Sequence, residues 1–350
     1  MSGEIPQFPD KKIVNRDTLW DKSKVVMEAK RTHWAETRAY QEHATVEFPD
    51  NSPITVVGIG DVHMGSIYSD TTLFERDMQL IQETPGMYAV FLSNLIDAAI
   101  PAQFPDSLLA NGLRLDEQAE AMNDFIRRLD KEHKVLGMVR SPCHEGWSEK
   151  KAGIDVQKII FMGTDIPMLE NGGTLNLKFP SGKDFDLMLY HQFGRGYGSE
   201  ANKNYAGWYQ MRQVRRGVPD AIMIGHSHVG EVEHSFYGQP PNRKEVVLVR
   251  TGSFKGNVSG KLNAPNDVWQ RDQSGRDGEP SGENITFFPE AGTMTPHLSP
   301  IQGAEYQMQH RANYLVESGG LKDKVEGLAM IAREEYNIEP PHQPKFTWSK

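Results

Sequence analysis

The chain alternates short apolar runs with longer stretches in which apolar positions recur at helical spacing. The runs at 54–60, 88–92 and 135–139 are rich in Val, Ile, Leu and aromatic residues, which predicts buried strands. Helical spacing at 71–83 and 116–131 separates them and predicts two helices. Strand–helix–strand alternation of this kind is typical of a layered α/β domain.

The same pattern continues beyond residue 180. Short apolar runs at 185–190, 221–224 and 246–249 predict three further strands. Helical spacing then returns at 303–317 and 321–336, on either side of a Ser-Gly-Gly break, before an extended tail. The strands therefore concentrate in the middle of the chain.

Changes in residue composition along the chain predict four regions. Residues 1–52 form a helical N-terminal extension, because 17–45 is charged and contains no Gly or Pro. Residues 53–262 form the α/β domain. Residues 263–300, rich in Asn, Asp, Gly and Pro, form a loop or linker, and 301–350 form a helical C-terminal extension.

Composition narrows the class of protein. Of the 350 residues, 38% are hydrophobic and 24% are charged, which is typical of a soluble globular protein. No apolar run is long enough to span a bilayer, and the polar start does not resemble a signal peptide, so we expect no membrane partner. The single cysteine is compatible with a reducing compartment, so we expect a cytoplasmic protein. The net charge of -9 argues against binding of nucleic acid through the overall charge of the protein, but it allows a local basic patch.

Five short segments stand at the carboxyl ends of predicted strands. They are GDVHMG (60–65), SNLID (93–97), PCHEG (142–146), YHQFG (190–194) and GHSH (225–228). Ligands of α/β sheets usually bind at such strand ends. The side chains that could converge there are Asp61, His63, Asn94, Cys143, His144, His191, His226 and His228. Oxygen and imidazole donors in this number can hold one or two divalent transition metals.

Each segment alone also has a structural interpretation. A single histidine at a strand end, such as His191, is more often a hydrogen-bonded structural residue than a ligand. His226 and His228 form a stronger signal, because alternate residues of an extended chain point the same way. The five segments together, in this order, favour a metal site.

In these segments the chain resembles the calcineurin-like metallophosphoesterases. The family pattern runs D-x-H, G-D-x-x-D, G-N-H-[DE], a lone H, and G-H-x-H. GDVHMG, YHQFG and GHSH match its first, fourth and fifth parts. Three segments resemble those of phage-encoded members related to the Mre11/SbcD nucleases: HEGWSEKKAGID, the run of Gly and aromatic residues after His191, and VRTGSFKG. The resemblance covers about residues 54–260, and a phage origin would place the protein in the host cytoplasm.

The resemblance implies a fold and a set of roles. The fold would be a four-layer α/β/β/α sandwich, here with helical N- and C-terminal extensions. Asp61, His63 and His228 would bind one metal, and His191 and His226 would bind the second. His144 would face the phosphate and assist the leaving oxygen, while a metal-activated hydroxide attacks phosphorus. One or two ions of Mn, Zn or Fe are the cofactors expected for such a site.

Two segments depart from the family pattern. Asn94 stands where the family has its metal-bridging aspartate, and Cys143 stands where the family has an asparagine that binds the second metal. A metal-bound cysteine is a thiolate, so Cys143 could restore the negative charge that Asn94 lacks. Alternatively, Cys143 is a small residue tolerated after loss of the second metal. Asp97 is retained, and we assign it and Glu145 supporting roles.

The substrate is less constrained. Arg195, Arg212 and Arg215 lie among aromatic residues, an arrangement that could follow a nucleic-acid strand. The same segment could equally be an amphipathic helix with solvated arginines.

Three functions remain open. A phosphodiesterase or nuclease-like enzyme acting on a phosphorylated substrate such as nucleic acid is the favoured interpretation. A phosphomonoesterase or nucleotide hydrolase is a second possibility. A pseudoenzyme that serves as a binding or structural component, for example of a phage, is a third. The terminal helices would suit contacts in an oligomer or assembly.

Overall fold

The computed structural model describes most of the chain between residues 43 and 318. The described residues are 24, 43–98, 111–140, 143–170, 172–191, 218–226, 228, 230–237, 241, 243–255, 282–318 and 345–348. The chain divides into two compact units, Met1–Gln41 with Lys350, and Glu42–Ser349. In the first unit only Lys24 is described, and it is helical. All elements below belong to the second unit.

Strands and helices alternate along the described residues. The strands are β1 (His43–Glu47), β2 (Ile54–Ile59), β3 (Met87–Phe91), β4 (Val135–Arg140), β5 (Met168–Glu170), β6 (Gly173–Lys178), β7 (Asp184–Tyr190), β8 (Ala221–Ile224), β9 (Glu231–Tyr237), β10 (Lys244–Arg250), β11 (Asn284–Phe288), β12 (Thr293–His297) and β13 (Lys345–Trp348). The helices are α1 (Thr71–Glu83), α2 (Leu115–Lys131), α3 (His144–Ala152), α4 (Val156–Ile160) and α5 (Pro300–Glu317). No helix among these residues is both long and apolar enough to cross a membrane.

The strands form two sheets that pack face to face. One sheet has the order β13-β1-β6-β7-β8-β10-β9 and the other has the order β12-β11-β2-β3-β4-β5. A single apolar core joins them, and the rings of Phe185 in β7 and Phe287 in β11 lie 5.1 Å apart within it. The predicted α/β class, with two stacked sheets flanked by helices, is confirmed.

Strand β2 shows how the sequence produces these layers. All six of its residues are buried, as expected for a strand that is covered on both faces. Because successive side chains point to opposite faces, Val56 packs against the other sheet while Val57 and Ile59 pack towards the helices. Helix α1 begins where Asp70 accepts a hydrogen bond from the Leu73 N–H, which satisfies a free donor of its first turn.

Several predicted elements are confirmed, with small shifts at their ends. Helix α1 and strand β8 have the predicted bounds, and α2, α5, β2, β3, β4, β7 and β10 lie at the predicted places. The predicted helix at 321–336 lies outside the described residues. So does the predicted helix at 17–45, apart from Lys24 and the few residues that belong to β1.

The structure corrects the prediction for two segments. Strand β1 lies in a segment interpreted as a helical extension, and it pairs with β6 and β13. Strands β11 and β12 lie in the segment interpreted as a loop, and β11 pairs with β2. These strands are short, and partners distant in sequence supply their hydrogen bonds, so local composition gives little sign of them. The division into four regions stays a prediction.

Candidate metal centre

The parallel strands of both sheets end at one place. β2, β3 and β4 run parallel in one sheet, and β7, β8 and β10 run parallel in the other. A contact between the two sheets joins their end loops: the His226 N–H donates to Asp61 Oδ2 over 2.6 Å. From the loop after β10, the Ser253 hydroxyl donates to the Asp61 carbonyl over 2.8 Å. The segments predicted from the sequence therefore meet at one end of the two sheets, around Asp61 and His226. This place is called the mouth below.

A first group of three ligand atoms surrounds Asp61. Its members are Asp61, His63 and His228, and the ligand atoms lie within 4.8 Å of one another. Asp61 Oδ1 lies 3.8 Å from His63 Nε2 and 3.4 Å from His228 Nε2. One carboxylate and two imidazoles are a suitable ligand set for zinc or manganese.

The tautomer of His63 fits this assignment. Its Nδ1 lies 3.1 Å from Asp97 Oδ1, so Nδ1 carries the ring proton and donates a hydrogen bond to the carboxylate. Its Nε2 is buried and makes no hydrogen bond within the described residues. A buried nitrogen left with a free lone pair is the atom that a cation would satisfy.

The charges in this group agree with the geometry. Burial, assisted by the charge of Lys255, holds the pKa of His63 well below its ordinary value, so the ring is neutral. Burial alone would raise the pKa of Asp61, but several opposing effects, of which the interaction with His228 is the largest, together outweigh it, and the net pKa lies below the ordinary range. Asp61 is therefore an anion, as a metal ligand must be.

A second group of ligand atoms adjoins the first. It consists of Cys143, His191 and His226, again within 4.8 Å of one another. His191 Nε2 lies 3.2 Å from His226 Nδ1, and Cys143 Sγ lies 3.9 Å from the same nitrogen. The Nδ1–H of His191 donates to the Leu92 carbonyl over 2.6 Å, which leaves the lone pair on Nε2. Burial lowers the pKa of His191 to about 4, so this ring too is neutral.

Asn94 lies beside the first group as a hydrogen-bond donor. Its Nδ2 donates to Asp61 Oδ1 over 2.9 Å, and its Oδ1 is buried without a partner in the described part of the chain. Glu145 holds the loop in place, since its carboxylate accepts from the backbone N–H groups of Asn94, Leu95 and Ile96. Burial raises the pKa of Glu145 to about 7, although these bonds act in the opposite direction. The structure therefore places Asn94 at the mouth and Glu145 beneath it.

His144 faces the mouth from the start of α3. Its Nδ1 lies 2.6 Å from the Asp97 carbonyl, so Nδ1 is the donor and Nε2 is the nitrogen that remains available. Its ring packs against Trp147 at 4.5 Å between centroids, which fixes its orientation. Burial lowers the pKa of His144 to about 4, which Asp97 partly offsets.

Asp97 connects several of these side chains. Its carbonyl accepts from His144, and its Oδ1 lies 3.1 Å from His63 Nδ1 and 2.7 Å from Lys255 Nζ. Asp97, His63 and His144 also lie close enough to form a third possible metal group. Because Nδ1 of each histidine already donates to Asp97, this group is better described as a hydrogen-bonded support. Lys255 lies in the segment VRTGSFKG, and its local sequence gives no sign of this contact with Asp97.

The backbone is strained where these side chains meet. Asp61, His63, Asn94, His226 and His228 all have φ between 52° and 71°, in the left-handed region that non-glycine residues seldom adopt. Each such residue costs on the order of 1–3 kcal/mol and persists where its surroundings hold it. Strain of this kind clusters at functional sites.

The predicted substrate-binding residues cannot be placed in this geometry. Arg195, Arg212 and Arg215 lie outside the described residues. The other candidate residues, Asp61, His63, Asn94, Asp97, Cys143, His144, Glu145, His191, His226 and His228, come together at the mouth. Their roles stay predictions.

Comparison with known proteins adds little beyond this geometry. No protein-family model matches the chain, and a search of curated proteins finds no match. The solution NMR structure of Thermotoga maritima protein TM1076 is similar at 12% identity, covering 70% of this chain and 98% of that one, with a TM-score of 0.29. The crystal structure of a metallophosphoesterase from Sphaerobacter thermophilus is similar at 12% identity, covering 79% of this chain and 100% of that one, with a TM-score of 0.31. The function of this chain is therefore inferred from its own residues.

Proposed function

We propose that this chain is a metal-dependent phosphoesterase that hydrolyses phosphodiesters in a nuclease-like reaction. The observation that carries the proposal is that two separate ligand groups adjoin at the shared mouth of two parallel-stranded regions. One group is centred on Asp61 and the other on His191, and the hydrogen bond from the His226 N–H to Asp61 Oδ2 connects them. Divalent ions at such a site would activate water and neutralise the charge of a phosphate in the transition state.

The residues around the ligand groups fix the histidine tautomers that this reaction requires. Asp97 fixes the tautomers of His63 and His144 through its carboxylate and its carbonyl. His63 therefore presents Nε2 to the first ligand group, and His144 presents Nε2 to the mouth. An anionic phosphate next to His144 favours the protonated imidazole, which can then donate a proton from Nε2 to the leaving oxygen.

The choice of a diester rests on the sequence resemblance. HEGWSEKKAGID contains His144 and Glu145, and both residues line or support the mouth. VRTGSFKG contains Lys255, whose Nζ lies 2.7 Å from Asp97 Oδ1. Two of the three segments that resemble nuclease-related members thus lie at the candidate centre, and the third, after His191, lies outside the described residues. A nucleic-acid strand is the substrate that we expect on this basis.

The test is His144→Ala, compared with wild type on bis(p-nitrophenyl) phosphate, p-nitrophenyl phosphate and single-stranded DNA in the presence of Mn(II). We expect kcat on the diesters to fall by about 10²–10⁴-fold, the usual contribution of a general acid. Metal content should stay the same, because His144 belongs to neither ligand group.

His234→Ala is the matched control. His234 is an exposed residue of β9 that pairs with Glu245, so its loss should leave kcat unchanged. An equal loss of activity in both variants would contradict the role of His144. Hydrolysis of the monoester alone would favour the phosphomonoesterase or nucleotide hydrolase.

A pseudoenzyme is the second candidate, and Asn94 favours it. Its amide donates a hydrogen bond to Asp61. A carboxylate at the same position could instead bridge two cations. Wild type that binds metal but hydrolyses none of the three substrates would support a binding or assembly role instead.

A further inference from the structure

We propose that Cys143, His191 and His226 form a thiolate site that selects a softer divalent cation, such as Zn(II), than the neighbouring site selects. The centre would then hold two different metals, one in each ligand group. This inference rests on the metal centre of the proposed function, but it does not depend on catalytic activity.

The distances fit a tetrahedral cation. With Zn–N of about 2.0–2.1 Å and Zn–S of about 2.3 Å, tetrahedral angles separate two nitrogen ligands by about 3.3 Å and a nitrogen from a sulfur by about 3.6 Å. The observed separation of His191 Nε2 and His226 Nδ1 is 3.2 Å, and that of Cys143 Sγ and His226 Nδ1 is 3.9 Å. Adjustments of about 0.3 Å or less would complete these two ligand separations.

The surroundings of His191 hold its ring in a ligand orientation. Because Nδ1–H donates to the Leu92 carbonyl over 2.6 Å, the Nε2 lone pair points towards His226. Gly225 lies against this bond, and a Cβ there would come within 3.2 Å of His191 Nδ1 and 3.3 Å of the Leu92 carbonyl oxygen. Glycine at this position therefore lets the loop after β8 approach His191 closely.

The two groups differ in chemical softness. Asp61, His63 and His228 offer one oxygen and two nitrogens, a set that suits Mn(II) as well as Zn(II). Cys143 replaces the oxygen with sulfur in the second group, and thiolates favour Zn(II), Fe(II) or Co(II) over Mn(II) and Mg(II).

Asn94 supplies no negative charge that the two ligand groups could share. Its amide is neutral and already donates to Asp61 Oδ1, so it does not share a negative charge between two cations. Each group then relies on its own anion, Asp61 in the first and the Cys143 thiolate in the second. The buried Asn94 Oδ1 is a neutral oxygen, so it would bind a cation more weakly than a carboxylate oxygen would.

The test is cobalt substitution of the full-length protein, read by absorption spectroscopy. Co(II)-loaded wild type should show a thiolate-to-cobalt charge-transfer band in the near ultraviolet, and Cys143→Ser should lack it. Zn(II) affinity of the second site should fall in Cys143→Ser by more than the 10–100-fold that loss of an outer partner typically costs.

Cys143→Asn is the matched variant, because it replaces the sulfur with a neutral oxygen ligand at the same position. We expect it to lack the band and to shift the preference of the second site from Zn(II) towards Mn(II). In wild type, bound Zn(II) should also slow the reaction of the thiol with a disulfide reagent, a measurement that needs no variant. A wild type without the band, with a thiol equally reactive with and without Zn(II), would overturn the inference.

The outcomes separate this inference from the proposed function. A cobalt–thiolate band in a protein that hydrolyses no phosphate ester would support the thiolate site and contradict the phosphoesterase. Hydrolysis of diesters without the band would support the phosphoesterase and contradict the thiolate site.

Discussion

Asn94→Asp should make the metal-free protein less stable and should increase the stability gained from metal. In the structure, Asn94 Nδ2 donates to Asp61 Oδ1 over 2.9 Å, and both side chains are buried. The substitution would place a second carboxylate oxygen at this distance. Two unit charges 2.9 Å apart repel each other by about 6 kcal/mol at an effective dielectric constant of about 20.

Protonation limits this cost. A carboxyl group with an ordinary pKa of about 3.9 can be kept neutral at about pH 7 for about 4 kcal/mol. The protonated group can still donate a hydrogen bond to Asp61, which recovers about 1 kcal/mol. We therefore expect the free energy of unfolding without metal to fall by about 3–4 kcal/mol. A cation between the two carboxylates would remove the repulsion and bind more tightly than it does in wild type.

The assay is urea unfolding in a chelator and again in excess Mn(II). Asn176→Asp is the matched control, because Asn176 Nδ2 donates to Asp186 Oδ1 over the same 2.9 Å, at the opposite end of β7 from His191. This control should lose stability without regaining it in metal. A chelated Asn94→Asp protein as stable as wild type, or an equal metal-induced gain in both proteins, would refute the reasoning.

Two further predictions concern stability away from the mouth. Burial lowers the pKa of Lys134 to about 8, so the unfolded chain holds this proton more tightly, and stability should rise by about 1 kcal/mol from about pH 7 to 9. Lys134→Met should remove that rise in urea unfolding curves, and an unchanged slope would contradict the shift. Arg140 pairs with Glu149, Asp155 and Glu170, so Arg140→Met should cost about 3–5 kcal/mol by leaving three carboxylates together. Lowering the pH towards about 5 should recover part of that loss, and a pH-independent loss would argue against charge as its cause.

The sequence predicts the central part of this fold well. Helix α1 and strand β8 have the bounds expected from their apolar patterns, because the burial of each is visible in local spacing. The ligand groups were predictable for a related reason. The carboxyl ends of parallel strands meet, so histidines and acids placed after those strands meet as well.

Long-range pairing was not predictable in the same way. Strand β1 buries only Ala44 and Val46 deeply, and it depends on β6 and β13 for its hydrogen bonds. The contact between Lys255 Nζ and Asp97 Oδ1 joins residues that lie 158 positions apart. No local pattern specifies such a contact, since it follows from where the loop after β10 meets the loop after β3.

The charges at the mouth suggest why a thiolate would matter there. Asp97 is an anion, but Lys255 lies 2.7 Å from it and neutralises its charge. Glu145, with a pKa of about 7, accepts hydrogen bonds from backbone N–H groups below the mouth and faces neither ligand group. Among the described acids of the centre, Asp61 is then the one whose charge is available to a cation. A second divalent ion is stabilised by a further anion, which Cys143 or the phosphate of a substrate could supply. If Cys143 supplies it, the second metal binds before substrate; if phosphate supplies it, the second metal binds only with substrate.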